Sequence, residues 1–144
     1  MATPLRVLID LNIILDAVGG REPFSEASSE IMVAAEIGAI DGYVAAHSLT
    51  TFYYLSSKYR SPAIARAQLT DIVQFLGIAA VDARVIEQAL ALSSKDFEDA
   101  VQMMAGVHAG AEYIVTRDLT GFKAGPLPAI LPGELLALIR GQEQ

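Results

Sequence analysis

Three aspartates of this sequence, Asp10, Asp99 and Asp118, stand at positions that favour a shared chemical role. Asp10 ends the apolar segment at residues 7–9, and Asp118 closely follows another apolar segment, at residues 113–116. Asp99 lies in the first turn of the helix predicted to lead into that second segment. Because the carboxyl ends of parallel strands meet at one edge of a sheet, we expect the three side chains to converge there.

Clustered carboxylates repel one another unless a cation lies among their oxygens, and Mg²⁺ and Mn²⁺ prefer such ligands. The reaction that these ions best serve is attack of a metal-activated water on a phosphodiester. No nucleophilic side chain is then needed, which suits a chain without cysteine. The only two imidazoles, His47 and His108, are more simply explained as structural.

Each aspartate also has a structural interpretation when it is taken alone. Asp99 stands three residues after Asp96, which is the spacing of a helix-capping pair. Asp10 would be a turn residue after a strand, and Asp118 a turn acid paired with Arg117. The functional interpretation depends on all three aspartates reaching the same edge of one sheet.

Composition limits the class of protein. The chain has 144 residues, of which 53% are hydrophobic and 19% charged, and this favours one domain, residues 1–144, with a fully covered sheet. We expect a cytoplasmic protein, since neither a secretion signal nor a membrane-spanning run is evident. A net charge of −7 argues against a general nucleic-acid coat protein, though not against an enzyme that acts on nucleic acid.

Predicted strands alternate with predicted helices, an order that favours a parallel sheet wrapped on both faces. The strands are expected at residues 7–9, 43–46 (after a turn at Asp41 and Gly42), 77–81, 113–116 and 130–131. A short helix is expected directly after Asp10, closed by Gly19 and Gly20. Further helices are expected from Ser25 to about Gly38, after a Ser48 cap, from Pro62, from an Asp82 cap through Leu92, from an Asp96 cap, and from Pro132 to about Arg140.

Helical spacing also predicts which residues are buried on two of these helices. The predicted buried positions are Ile64, Leu69, Ile72, Val73 and Leu76 after Pro62, and Ala100, Met103, Met104 and Val107 after Asp96.

Four segments of the chain, VLIDLNIILDAV, AAHSLTTFYYL, DFEDAVQMMAGVHAGAEYIVTRD and GF, resemble the PIN domain family, in particular bacterial proteins related to the VapC-type toxins. The resemblance runs from Val7 to about Leu136. It implies a three-layer α/β/α sandwich around a parallel sheet of four to five strands, and it implies metal-dependent endoribonuclease activity. Both agree with the interpretation drawn from the residues themselves.

The resemblance assigns roles to single residues. It implies that Asp10, Asp99 and Asp118 are the catalytic and metal-binding acids, with Mg²⁺ or Mn²⁺ as the cofactor. It gives supporting roles to Asn12 and Thr116, which would orient the neighbouring carboxylates. Asp96 would add an outer oxygen or cap its helix.

Two positions depart from the family pattern. The second family acid, usually carried by the helix after the second strand, falls at Thr51, and the family's usual Asp before phenylalanine is replaced by Gly121. Either Glu98 or Asp16 would be the substitute acid, or a single metal ion would suffice. Taken alone, Asp16 is more simply a surface charge of its helix. The alternative function is a PIN-like module that binds RNA or protein without cutting.

Contacts to RNA are predicted for Arg117, Lys58 and Arg60. The last two, with Arg66, alternate with three tyrosines and could also form an ordinary amphipathic surface; the tyrosines are Tyr53, Tyr54 and Tyr59. The toxin resemblance further implies a homodimer and a small antitoxin partner.

Phosphotransfer is a less favoured class. Haloacid dehalogenase-like phosphatases need a second aspartate two residues after the first, where this chain has Asn12. Response-regulator receivers need a lysine after a late strand, and residues 130–132 contain none.

Overall fold

A parallel sheet forms the centre of the molecule in a computed structural model that describes residues 3–123 and 125–142. Across these residues the sheet has five strands in the order β3-β2-β1-β4-β5. The strands are β1 (Arg6–Ile9), β2 (Asp41–Ala45), β3 (Gly77–Ala79), β4 (Tyr113–Val115) and β5 (Ala129–Ile130).

Helices follow each strand and cover both faces of the sheet. They are α1 (Leu11–Gly19), α2 (Ser25–Glu36), α3 (Ala46–Tyr59), α4 (Pro62–Phe75), α5 (Ala83–Ala91), α6 (Phe97–His108) and α7 (Pro132–Gln142), with a short 3-10 helix at Leu119–Phe122. None of the helices within the described ranges is both long enough and apolar enough to cross a membrane.

The register of the sheet brings the carboxyl ends of β1 and β4 together. Leu8 of the central strand lies opposite Tyr43 on one side and Ile114 on the other, and Ile9 lies opposite Val115. The pairing continues one residue further, because the backbone N–H of Asp10 donates to the carbonyl of Val115 at 3.1 Å. Asp10 therefore begins at the carboxyl edge of the sheet.

The core divides into two apolar clusters, one on each face of the sheet. Val7 and Ile9 pack with residues of α1 to α4 and α7, whereas Leu8 packs with residues of α5 and α6. This alternation follows from the strand period of two, and all three side chains are fully buried. The predicted three-layer α/β/α sandwich is thereby confirmed.

Several predicted ends of elements are confirmed. Asp82 caps α5 by accepting from the backbone N–H of Val85 at 3.0 Å, and Asp96 caps α6 by accepting from that of Asp99 at 3.2 Å. Pro62 is the first residue of α4, and Gly20 closes α1 in the left-handed conformation, with φ of 63°.

Other predicted ends are wrong, most clearly around β2. Asp41 and Gly42 belong to the strand and do not form a turn. Asp41 is held there by an ion pair with Arg6 at 2.8 Å, and Gly42 fits because any Cβ would lie 2.8 Å from a methyl of Leu76. Ser48 does not cap α3, which already begins at Ala46; it is fully buried in the first turn.

The remaining differences concern short strands and helix faces. β2, β3 and β4 end at Ala45, Ala79 and Val115, before the predicted ends. β5 begins and ends one residue earlier than predicted, α5 ends one residue earlier, and α7 ends two residues later. Ile64, Val73 and Val107 were predicted to be buried, but they are 36%, 42% and 37% exposed. These residues lie at the margins of their apolar faces, where helical spacing alone does not separate core from surface.

Candidate active site

Asp10 is the most buried of the three predicted acids, with 4% of its surface exposed. Both of its carboxylate oxygens accept hydrogen bonds, Oδ1 from Gln102 Nε2 at 3.1 Å and Oδ2 from the Thr116 hydroxyl at 2.9 Å. Burial raises the pKa of Asp10, while these two bonds and the backbone N–H groups of Asn12 and Leu11 oppose that rise. The carboxylate is therefore fixed in orientation.

Gln102 is a residue that the sequence analysis missed. It is 2% exposed, and its Oε1 accepts from the backbone N–H of Leu11 at 3.2 Å and, more weakly, from the Ser48 hydroxyl at 3.5 Å. The amide nitrogen consequently faces Asp10, and it lies 3.5 Å from Asp99 Oδ1. The signal in the sequence was a polar residue one helical turn after Asp99, on an otherwise apolar helix face.

Asp99 lies in the first turn of α6, partly buried beside the other acids. Its pKa is raised to about 7, first by burial and then by the charges of neighbouring carboxylates, which are those of Asp96, Asp10, Glu98 and Asp118. The contribution of these neighbouring charges shows that the carboxylates at this edge of the sheet repel one another.

Thr116 links Asp10 to Asp118. Its fully buried hydroxyl donates to Asp10 and accepts from the backbone N–H of Asp118 at 3.1 Å. Asp118 in turn accepts from the backbone N–H of Thr120 at 3.1 Å, at the start of the 3-10 helix. The predicted supporting role of Thr116 thus has a specific geometric basis.

Gly121 stands between two of the acids. A Cβ at this position would lie 2.7 Å from Asp99 Oδ2 and 3.8 Å from Asp118 Oδ2. Where the family pattern has an aspartate, this chain therefore brings its backbone against the Asp99 carboxylate. A groove of about 380 Å³ opens beside it, and its lining includes Asp96, Asp99, Asp118, Lys95 and Lys123.

The donor set suits a hard cation, but the three acids do not form a ready-made chelate. Within residues 3–123 and 125–142, no three His, Asp or Glu side chains are grouped closely enough to hold one metal ion directly. Mg²⁺ commonly takes one or two carboxylates and keeps several waters. Asp99 and Asp118, whose oxygens flank Gly121, match that smaller requirement.

The remaining predicted residues of the site lie in different surroundings. Asn12 has an exposed side chain and reaches Asp10 through its backbone N–H, and the Thr51 hydroxyl donates to the carbonyl of His47 at 3.3 Å. His47 has both ring nitrogens buried, and burial lowers its pKa against the opposing charge of Glu98. The ring of His108 contacts the side chain of Gln88 on α5.

Asp16 is not the surface charge that the sequence predicted. It is fully buried, with Arg117 Nε 2.8 Å from its Oδ2 and Arg21 Nη1 3.7 Å from its Oδ1. The close pair with Arg117 is an ion pair whose N–H is not aligned as a hydrogen bond. The Arg117 guanidinium also lies over the ring of Phe24, with 4.2 Å between Cζ and the ring centre.

Lys58 and Arg60, both exposed, lie at the far end of α3 from this edge. The helix begins at Ala46 beside the carboxyl end of β2, and at about 1.5 Å per residue its last turn is roughly 20 Å away. These cations therefore belong to a separate surface.

Several solved structures share this fold. FitAcB from Neisseria gonorrhoeae matches with a TM-score of 0.69 and 16% identity, covering 88% of this chain and 98% of that one. VapBC2 from Rickettsia felis, bound to a promoter DNA fragment, matches with a TM-score of 0.67 and 15% identity, over 88% and 98% of the two chains. The sarcin-ricin loop cleaving toxin VapC20 from Mycobacterium tuberculosis gives a TM-score of 0.67 and 15% identity, over 83% and 95%.

Sequence comparison identifies the family directly. No curated protein sequence matches the chain significantly. The family profile of the PIN domain, however, matches residues 6–120, which include all three aspartates and most of the sheet. The chain therefore belongs to the PIN domain family.

Proposed function

We propose that this protein is a Mg²⁺- or Mn²⁺-dependent endoribonuclease, with Asp99 and Asp118 as its ion-binding acids and the buried Asp10 as the acid that positions the edge behind them. The observation that carries the proposal is the convergence of these carboxylates from three separate segments on one sheet edge, beside a groove of about 380 Å³. Membership of the PIN domain family and the structural likeness to a toxin that cleaves the sarcin-ricin loop support a nuclease.

In this proposal Asp99 and Asp118 hold the ion, and Asp10 fixes the shape of the acidic edge behind them. The bound ion would supply an activated water and stabilise charge on the phosphate. Gln102 and Thr116 orient Asp10. The Thr116 hydroxyl also positions Asp118 by accepting a hydrogen bond from the backbone N–H of Asp118. Lys95 and Lys123, which line the groove, would balance the charge of the RNA backbone.

We further propose that the enzyme is the toxin of a toxin-antitoxin pair and forms a homodimer. Among the similar structures are a toxin-antitoxin complex from Klebsiella pneumoniae, with a TM-score of 0.66, and the VapBC2 assembly. A small antitoxin would be expected to cover the acidic groove. Size-exclusion chromatography with light scattering on the protein alone tests the homodimer. The same measurement on a mixture with the product of an adjacent reading frame tests the antitoxin.

A non-cutting module that binds RNA or protein is the second candidate. It is favoured by Thr51, whose hydroxyl is used inside its own helix, and by Gly121, which removes a further acid. Because neither position adds a carboxylate, the site has fewer acids than the family pattern offers.

The deciding experiment measures RNA cleavage with Mn²⁺ and compares Asp99→Asn with the control Glu26→Gln, which neutralises an exposed acid on α2. Asp99→Asn should lower the rate about 100-fold or more while the circular dichroism spectrum is unchanged. Calorimetric titration with Mn²⁺ should detect a saturable site in the wild type. Absence of both cleavage and Mn²⁺ binding would favour the non-cutting module.

A further inference from the structure

Residues 42–70, which include α3 and the part of α4 before Asp71, carry positive charge in an otherwise acidic protein. The net charge of the chain is −7, yet residues 42–70 contain no Asp or Glu and include Lys58, Arg60 and Arg66. All three cations are exposed, and none forms an ion pair within the part of the chain that the structure describes. This segment can therefore attract a polyanion, whereas the net charge of the remaining residues is negative.

Three tyrosines of α3 stand among these cations. Tyr54 and Tyr59 are 63% and 70% exposed. Lys58 Nζ lies 5.8 Å from the ring centre of Tyr59, and Arg66 Cζ lies 5.8 Å from that of Tyr53. We call these six residues the α3–α4 surface; they are Tyr53, Tyr54, Lys58, Tyr59, Arg60 and Arg66.

Two grooves border the α3–α4 surface. Tyr59 and Arg60 line one of about 340 Å³ together with Arg21, and Tyr53 and Arg66 line another of about 440 Å³. Each groove thus combines an aromatic ring with at least one guanidinium. Unpaired bases stack on such rings, whereas the cations meet the phosphates, and both contacts tolerate any base sequence.

We propose that the α3–α4 surface is a second RNA-binding surface that holds an unpaired stretch of the substrate away from the acidic site. The distance along α3 is roughly 20 Å, which corresponds to about six nucleotides of a stacked strand at ~3.4 Å per charge. The choice of RNA as the ligand rests on the proposed function, but binding at this surface does not require the metal. The substrate class is therefore RNA with a single-stranded segment several nucleotides from the cut.

The test is fluorescence anisotropy with a labelled 12-nucleotide single strand of 2′-O-methyl RNA in EDTA, so that binding is measured without cleavage. The double variant Lys58→Gln/Arg60→Gln should weaken binding about tenfold at low salt and reduce the salt-dependence slope by about 1.4, since each phosphate contact contributes about 0.7. Tyr54→Leu/Tyr59→Leu should weaken binding by a similar factor and leave the slope unchanged. A duplex of the same length should bind more weakly than the single strand.

The control is Arg84→Gln, which removes one exposed cation from α5. Equal losses in Arg84→Gln and in single Lys58→Gln or Arg60→Gln variants would overturn the proposal, because binding would then follow net charge alone. The proposal would also be overturned if the tyrosine variant bound RNA with unchanged affinity and polyglutamate competed as well as unlabelled RNA. That outcome points to an acidic protein partner. RNA cleavage is measured in a separate assay. If the wild type cleaves RNA and these variants bind the single strand as tightly as the wild type, the second surface is refuted while the proposed function stands.

Discussion

The side-chain amide of Gln102 donates to Asp10 Oδ1 at 3.1 Å, while its carbonyl accepts from the backbone N–H of Leu11 at 3.2 Å. These contacts fix which way the amide faces, because a backbone N–H can only donate and a carboxylate can only accept. The same nitrogen lies 3.5 Å from Asp99 Oδ1. A neutral donor thus bridges two acids whose charges would otherwise repel each other.

Gln102→Leu should both destabilise the protein and disturb the acidic edge. The substitution keeps the side-chain volume but leaves the N–H of Leu11 and one oxygen of Asp10 buried without partners. We expect a loss of about 2–3 kcal/mol in the free energy of unfolding, measured with urea. Mn²⁺ affinity, measured by calorimetry, should fall about 10- to 100-fold, as for other residues that orient metal ligands.

The control for this variant is Gln74→Leu, which makes the same change on the exposed face of α4. It should leave both the stability and the Mn²⁺ affinity within error of the wild type. Unchanged Mn²⁺ affinity in Gln102→Leu would restrict Gln102 to a structural role.

Asp99→Asn should stabilise the metal-free protein at neutral pH. The folded-state pKa of Asp99 is about 7, above its ordinary value of 3.8, so the folded protein holds an extra proton between these values. The stability that this residue contributes is therefore present near pH 4 and is lost as the pH rises through about 7. Because Asp99 is partly exposed and screened by solvent, we expect the variant to gain only about 1–2 kcal/mol at pH 8.

Urea unfolding in EDTA at pH 4.5 and pH 8 measures this gain. The difference between Asp99→Asn and the wild type should be small at the lower pH and largest at the higher one. Glu26→Gln, which alters an exposed acid, is the control and should show no such pH dependence. A variant that is less stable than the wild type at pH 8 would contradict the predicted repulsion.

Gly121→Ala should weaken the site without harming the fold. The new Cβ would lie 2.7 Å from Asp99 Oδ2, so the carboxylate must shift from its present position. We expect the Mn²⁺ affinity to fall by about tenfold, measured by calorimetry. Gly141→Ala is the matched control, because its Cβ would meet nothing within 4 Å and it lies in α7. Equal affinities in the two variants would show that Asp99 tolerates the contact.

The sequence predicted the order of the elements, the layers of the fold and the edge at which the three aspartates meet. These properties follow from local patterns, such as the apolar runs of the strands and the cap that Asp96 provides for α6. The burial of Asp16 could not be predicted in this way, because its partner Arg117 is far away in the sequence. Likewise, the role of Gln102 depends on the packing of α6 against the starts of α1 and α3, which no local pattern in the sequence reveals.

Arg117→Gln tests whether this arginine serves the fold. Among residues 3–123 and 125–142, it leaves the fully buried Asp16 with Arg21, 3.7 Å away, as its remaining cationic partner. Burial already raises the pKa of Asp16 against the opposing charges of Arg117 and Arg21, and the variant should raise it further. We expect a loss of about 2–3 kcal/mol at pH 7.5, measured by urea unfolding.

The pH dependence of that loss separates a buried ion pair from a contact to RNA. The cost comes from ionised Asp16, and the folded protein can avoid it by keeping the carboxyl protonated, so the loss should shrink at pH 4.5 and disappear below the ordinary aspartate range. Arg84→Gln, an exposed change of the same kind, should cost little at either pH. If Arg117→Gln instead leaves the stability unchanged and lowers the salt-dependence slope of RNA binding by about 0.7, Arg117 contacts a phosphate and the Asp16 pair contributes little to the fold.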